Sequence, residues 1–296
     1  MRRAAAPVLA AALACTGAAL AFELPLRVVT TSTDLKSLVE AVGGTDVVVE
    51  SLAPAAGDPH AYELKPAQVE RVRKADLVVR VGLDHEPWFA RVRTTSRIVD
   101  ASRGVALLQT ETPRLRADAR PHLHGFGNPH YWLDPENARP ITATLAHELM
   151  QAIPAHGPRF EENRRRFLAR LDAGLARWRE AMAPWKGTRV VVMHETWPYF
   201  AARFGLDIVA AAEPVPGVPP TPSEVGALIE RMRSGGVRVL VIDSHSDMSL
   251  VNRIAYGSVA RVVSLVPSVG AEPEAGDYIA LFDLNVKRFV EVMQAR

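Results

Sequence analysis

From Gly157 to Trp185 the chain reads "GPRFEENRRRFLARLDAGLARWREAMAPW", a charged stretch with Phe160, Phe167, Leu168, Leu171, Leu175 and Trp178 at helical spacing. The pattern predicts a single helix of about seven turns. On both sides of it, short β-type runs alternate with helical patterns. Before it come the strands "LRVVTTS", "DVVVESLA", "DLVVRVG" and "SRIVDAS". The helices "STDLKSLVEAVGG" and "KPAQVERVRKA" lie among them, and another runs from Pro135 to about Ile153. After it come the strands "TRVVVMH", "LDIVAAAE", "VRVLVID" and "ARVVSLVPS", with helices "WPYFAARFG", "PSEVGALIERMRSGG" and "DYIALFDLNVKRFVEVMQ". Strands alternating with helices indicate mostly parallel sheets covered on both faces. The predicted fold is α/β, with two βα lobes joined by one long helix and a cleft between them. The expected boundaries are a leader over 1–21, an N-terminal lobe over 22–153, the connecting helix over 154–186 and a C-terminal lobe over 187–296. A rigid helical connection should limit the opening of such a cleft.

The leader is read from its composition. Arg2 and Arg3 precede an apolar run that ends in Ala19-Leu20-Ala21, the small-residue pattern of a cleaved secretory signal. The expected location is therefore the periplasm, with a mature chain beginning near Phe22. The single cysteine, Cys15, lies inside the leader, so the exported chain has no disulfide and no thiolate site to offer. Losing Arg2 and Arg3 equalises Lys+Arg and Asp+Glu at 33 each. A formally neutral chain without a basic stripe excludes a nucleic-acid surface.

Chemistry enters with histidine. His60 lies in "GDPHAYELKP" after the strand "DVVVESLA", and His194 directly follows "TRVVVM". His130 sits in the loop "NPHYWLDP", where Asp134 and Pro135 are a good N-cap and first helical residue. Ligand groups in open α/β sheets gather beyond the carboxyl ends of strands, and all three histidines fit such loops. "Pro-His-(Ala/Tyr)-(Tyr/Trp)" occurs twice, at Pro59 and Pro129. Each proline restricts the backbone beside its histidine, and each aromatic can exclude water.

The segments "GDPHAYELKPAQVERVRKADLVVRVGLDHEPW", "NPHYWLDPENA", "MHETWPYFAARFGL" and "DYIALFDLNV" resemble the metal-specific solute-binding proteins of bacterial ABC importers. The zinc-binding branch is the closest match, and the similarity covers essentially the whole mature chain in order. The resemblance implies one divalent metal between the lobes, held by His60, His130 and His194. It also implies a fourth carboxylate ligand just before the last helix, which points to Asp277. This chain lacks the Ser/Thr that relatives carry after that Asp, so alignment on Tyr278 and Asn285 places Gly276 there instead. Asp243 and His245, in "VIDSHSD" after another strand, are the rival source of the fourth ligand.

Three imidazoles and a carboxylate suit Zn2+ in a tetrahedral shell, whereas Ca2+ and Mg2+ prefer all-oxygen shells. Manganese-binding relatives generally replace the third His with Glu, so His194 favours zinc over Mn2+. The implied role is zinc capture and delivery to an ABC permease by a monomer, with a periplasmic zinc chaperone as a further candidate partner. A zinc hydrolase is the enzyme alternative, but "HETWP" carries Pro198 where H-E-x-x-H needs its second His. No nucleophile elbow or phosphate-binding loop is present. A surface adhesin is the remaining alternative. His122 and His124, in "RPHLHGFG", form either a short metal-acquisition loop or a solvated pair. His85, His147 and His156 are read as structural.

Overall fold

The computed structural model describes residues 24–57, 62–108, 127–213 and 218–295. The signal segment, His60, His122 and His124 lie outside the described residues. The N-terminal half holds β1 (Leu26–Thr30), β2 (Val47–Ser51), β3 (Leu77–Arg80) and β4 (Arg97–Asp100) in one parallel sheet, order β2-β1-β3-β4. The C-terminal half holds β5 (Arg189–Val192), β6 (Asp207–Ala211), β7 (Val239–Asp243) and β8 (Arg261–Leu265) in a second, order β6-β5-β7-β8. Both halves thus repeat one topology, although the sequence shows no precise internal repeat.

Helices cover both faces of each sheet, so the strands read as continuous apolar runs rather than alternating ones. α1 (Thr33–Gly43) is capped by Ser32, whose Oγ accepts from the Leu35 amide at 3.2 Å. It ends at Gly44 with φ +57°, and a Cβ there would stand 2.8 Å from Asn163 Nδ2 of the long helix. Glycine serves the left-handed turn and the close helix approach together. α2 (Pro66–Lys74) covers the outer face of the first sheet, where Val72 joins Val29, Val78 and Phe89 in a separate apolar cluster.

The segment before α3 (Ala138–Ala152) differs from the sequence expectation. Asp134 does cap, accepting from the Glu136 amide at 3.0 Å, but Pro135–Asn137 forms a 3-10 turn and the α-helix begins only at Ala138. α4 (Gly157–Met182) is the long helix, 26 residues, with Phe160, Phe167, Leu171, Leu175 and Trp178 buried. It packs on α1 and α3 of the first half and on α8 (Tyr278–Gln294) of the second. The inner faces of both sheets share one core with it, from Leu26 and Val28 through Val190 and Val241 to Phe289.

α5 (Pro198–Phe204) and α6 (Pro222–Ser234) match the expected helices. α7 (Met248–Ser258) was not expected from the sequence. It is capped by Asp247 and buries Leu250, Val251 and Ile254 with α6 on the outer face of the second sheet. Among the described residues no helix is long and apolar enough to cross a membrane.

Candidate metal centre

The second sheet gathers titratable groups at the carboxyl ends of three adjacent strands. Beyond β5 the chain adds one more sheet bond, Met193 N to Val241 O at 2.9 Å, and then presents His194. Beyond β6, the Glu213 amide bonds to Met193 O at 2.8 Å and holds Glu213 beside it. A register shift between Val190 and Val191 against β6 twists that strand end just before Glu213 emerges. Asp243 is the last residue of β7. Its amide donates to Ser246 Oγ at 3.0 Å, and its carbonyl accepts from the Ser246 amide at 3.1 Å. This tight turn places His245 back over the strand end.

The result is a compact group. Ligand atoms of His194, Asp243 and His245 all lie within 4.8 Å of one another. The two imidazoles stack with centroids 5.6 Å apart and planes 17° apart. Asp243 is 1% exposed. Trp197 Nε1 donates to its Oδ1 at 2.6 Å, and Thr196 Oγ1 approaches Oδ2 at 3.4 Å. Burial pushes the Asp243 carboxyl up to about 6, against the opposing pull of His245 and of the Trp197 and Thr196 hydrogen bonds. A carboxylate desolvated in this way gains more from a nearby cation than an exposed one does.

Two separations bear on what the group does. His245 Nε2 stands 3.9 Å from Asp243 Oδ2, and His194 Nδ1 stands 3.4 Å from Glu213 Oε2. Both exceed a normal hydrogen bond. Two bonds of roughly 2.0–2.2 Å to a shared zinc would put tetrahedral ligand atoms about 3.4 Å apart, and a wider bond angle would reach 3.9 Å.

His130 lies in the first half, on a loop hydrogen-bonded to the loop that carries His194. Its amide donates to Asn128 Oδ1 at 2.9 Å, and its Nδ1 lies 3.0 Å from the same oxygen. An Nδ1–H donated to Asn128 fixes the tautomer and leaves Nε2 as the metal-binding atom. Asn128 Nδ2 in turn donates to Glu195 O at 2.8 Å, the residue after His194. Tyr199 Oη donates to Asn128 O at 2.9 Å. The His130 loop is thereby tied to the His194 loop. Further ties cross the same floor, from Trp132 Nε1 to Pro267 O at 3.0 Å and from Tyr278 Oη to Trp132 O at 2.5 Å. Arg203 holds Asp134 through two bonds of 2.6 and 2.7 Å. His130 itself stands outside the mutual group of His194, Asp243 and His245.

Asp277 is placed elsewhere. It is the N-cap of α8, with Oδ1 accepting from the Ile279 and Ala280 amides at 2.9 and 2.8 Å. Its Oδ2 pairs with Arg170 of α4 at 2.8 Å. Its carboxyl lies below the usual range: burial would raise it, but the Ala280 amide, Arg170 and the Ile279 amide outweigh that. Both oxygens are engaged in this structure, one by the helix start and the other by an ion pair. Asp243 and His245, the rival source of the fourth ligand, are the carboxylate and the imidazole that lie beside His194.

Glu213 escaped the sequence reading. Its one signal there is its place as the last residue of the predicted strand "LDIVAAAE". His85, read as structural, is buried and packs edge-on against His130 and Trp132, with centroids 5.7 and 5.1 Å away. Its neighbour Glu86 accepts from the Gly82 amide at 2.9 Å, and burial pushes that carboxyl up to about 7. His156 bonds Asp46 at 2.8 Å at the start of the long helix, a structural role.

The family model "Zinc-uptake complex component A periplasmic" matches residues 28–292. The chain belongs to this family. Its members are metal-binding solute-binding components of ABC importers, not enzymes, and they act outside the cytoplasm as periplasmic proteins or lipoproteins. The high-affinity zinc uptake system protein of Paracoccus denitrificans is 28% identical, over 93% of both chains. A manganese ABC transporter substrate-binding lipoprotein of Streptococcus pneumoniae is 24% identical, over 90% of this chain and 88% of its own. A crystal structure of ZnuA superposes with a TM-score of 0.77 at 24% identity, covering 90% of this chain and 98% of that one. The two-lobe α/β fold with its long helix is therefore the family fold.

Proposed function

We propose that this family member captures zinc outside the cytoplasmic membrane and delivers it to an ABC permease. The observation carrying this reading is the convergence of His194, Asp243 and His245 at adjacent strand ends, with Asp243 buried and both imidazoles over it. His130, with Nδ1 committed to Asn128, adds an imidazole from the other half, and His60 adds another from the "DPHAY" loop. A nitrogen-rich shell suits zinc better than manganese, which favours carboxylate and water oxygens. The Paracoccus denitrificans relative named for zinc uptake supports the same reading. His122 and His124 are proposed as a weak acquisition pair that leaves equilibrium affinity unchanged. Signal cleavage near Ala21, a monomeric state and receipt of zinc from a chaperone belong to the same proposal.

Manganese is the competing cargo. Glu213, close to His194, would supply the additional oxygen that manganese prefers, and the Streptococcus pneumoniae relative is named for that metal. Dialysis of the metal-stripped protein against equal zinc and manganese, followed by elemental analysis, separates the two. One zinc and negligible manganese per chain is expected. Manganese retention, or no retained metal, overturns the zinc reading.

A further inference from the structure

We infer that the C-terminal half binds the incoming ion by itself, through His194, Asp243 and His245, and that the N-terminal half adds its ligands only afterwards. This deepens the metal-carrier reading and rests on it. The three ligands come from the ends of β5 and β7, which are hydrogen-bonded neighbours in one sheet with Val190, Val191 and Val192 opposite Val239, Leu240 and Val241. Their spacing is fixed by that ladder and does not depend on how the halves meet.

The supporting contacts lie in the same half. Trp197 and Thr196 hold the Asp243 carboxylate, and Ser246 holds the turn that carries His245. Glu213 stands 3.4 Å from His194 Nδ1 and belongs to the same half. Three protein ligands and a water are a complete shell for zinc. His130 is different. It belongs to the other half, and its loop meets the His194 loop through the Asn128–Glu195 bond of 2.8 Å and the Tyr199–Asn128 bond of 2.9 Å. Any opening of the cleft moves His130 away from the group while leaving the other three together. A station of this kind would take up zinc with one water retained, and closure would replace that water with one imidazole of the other half. On release, the same station would hold the ion at an open face.

The test uses the full chain and zinc alone. The double variant His60→Ala/His130→Ala removes the other half's imidazoles. It should still bind one zinc per chain, with affinity lowered at least 100-fold and an association rate within about threefold of wild type by stopped flow. His245→Ala, at a partly exposed position that leaves Asp243 and Trp197 in place, should slow association at least tenfold. Asp243→Asn preserves the acceptor for Trp197 and should act in the same direction, with circular dichroism confirming the fold of each variant. If the double variant binds no zinc while wild type binds one, the single-half station is wrong and the carrier reading survives. Wild-type association in folded His245→Ala also overturns the station. If wild type binds no zinc, the carrier reading itself fails.

Discussion

Asp34 → Asn should flatten the pH dependence of folding stability. Asp34 lies fully buried at the start of α1, and its Oδ1 accepts from the Val269 amide of the opposite half at 2.9 Å. Burial pushes its carboxyl from 3.8 up to about 7, with the Val269 amide and the hydroxyls of Ser268 and Ser32 opposing the rise. The folded value exceeds the unfolded one, so the folded chain binds the extra proton. The associated stability is fully present below about pH 3.8 and is lost as pH rises toward about 7. The full displacement corresponds to on the order of 4 kcal/mol, an upper bound because water relaxes around a buried charge. The asparagine keeps an acceptor for Val269 but does not ionise. Urea unfolding of both proteins from pH 4 to pH 8 should show the variant gaining on wild type by a few kcal/mol across that range. Parallel stability curves would refute a neutral Asp34 in the folded state.

Other variants probe separate contacts. Asp277→Ala should lower stability by about 1–2 kcal/mol through loss of the α8 cap and the Arg170 pair, and leave zinc affinity unchanged within threefold by competition titration. Trp197→Phe removes the donor to Asp243 Oδ1 and should weaken zinc binding by about 10-fold or more, since partners of a ligand orient it. Tyr278→Phe leaves the Trp132 carbonyl without its 2.5 Å donor and should cost roughly 1–2 kcal/mol in thermal unfolding, with α8 loosened from the His130 loop.

Much of the fold was legible because its parallel strands are short apolar runs bounded by capped helices. The long helix announced itself through Phe160, Phe167 and Leu171, all of which are buried. α7 escaped because it is short, 11 residues, and its apolar residues Leu250, Val251 and Ile254 follow the turn "SHSD" that drew attention as a ligand source. The shift of the helix start from Pro135 to Ala138 was hidden too, since a 3-10 turn and an α-helix use the same cap and proline. At the candidate site, strand-end position marked His194, Asp243 and His245. Their convergence depends on β5 lying beside β7 rather than beside its chain neighbours alone, and strand order is a property of the folded sheet. Asp277 is ambiguous in the sequence for a related reason. An aspartate before a helix looks the same in sequence whether it caps or ligates, and its deciding partner, Arg170, lies on a different helix far away in the chain.

The most direct measurement is anomalous diffraction at the zinc edge from crystals of the zinc-loaded chain. The account predicts one peak roughly 2.0–2.2 Å from ligand atoms of His194, Asp243 and His245, with His130 Nε2 turned toward it. A peak bonded to Asp277, or one that leaves Asp243 and His245 unligated, would contradict it.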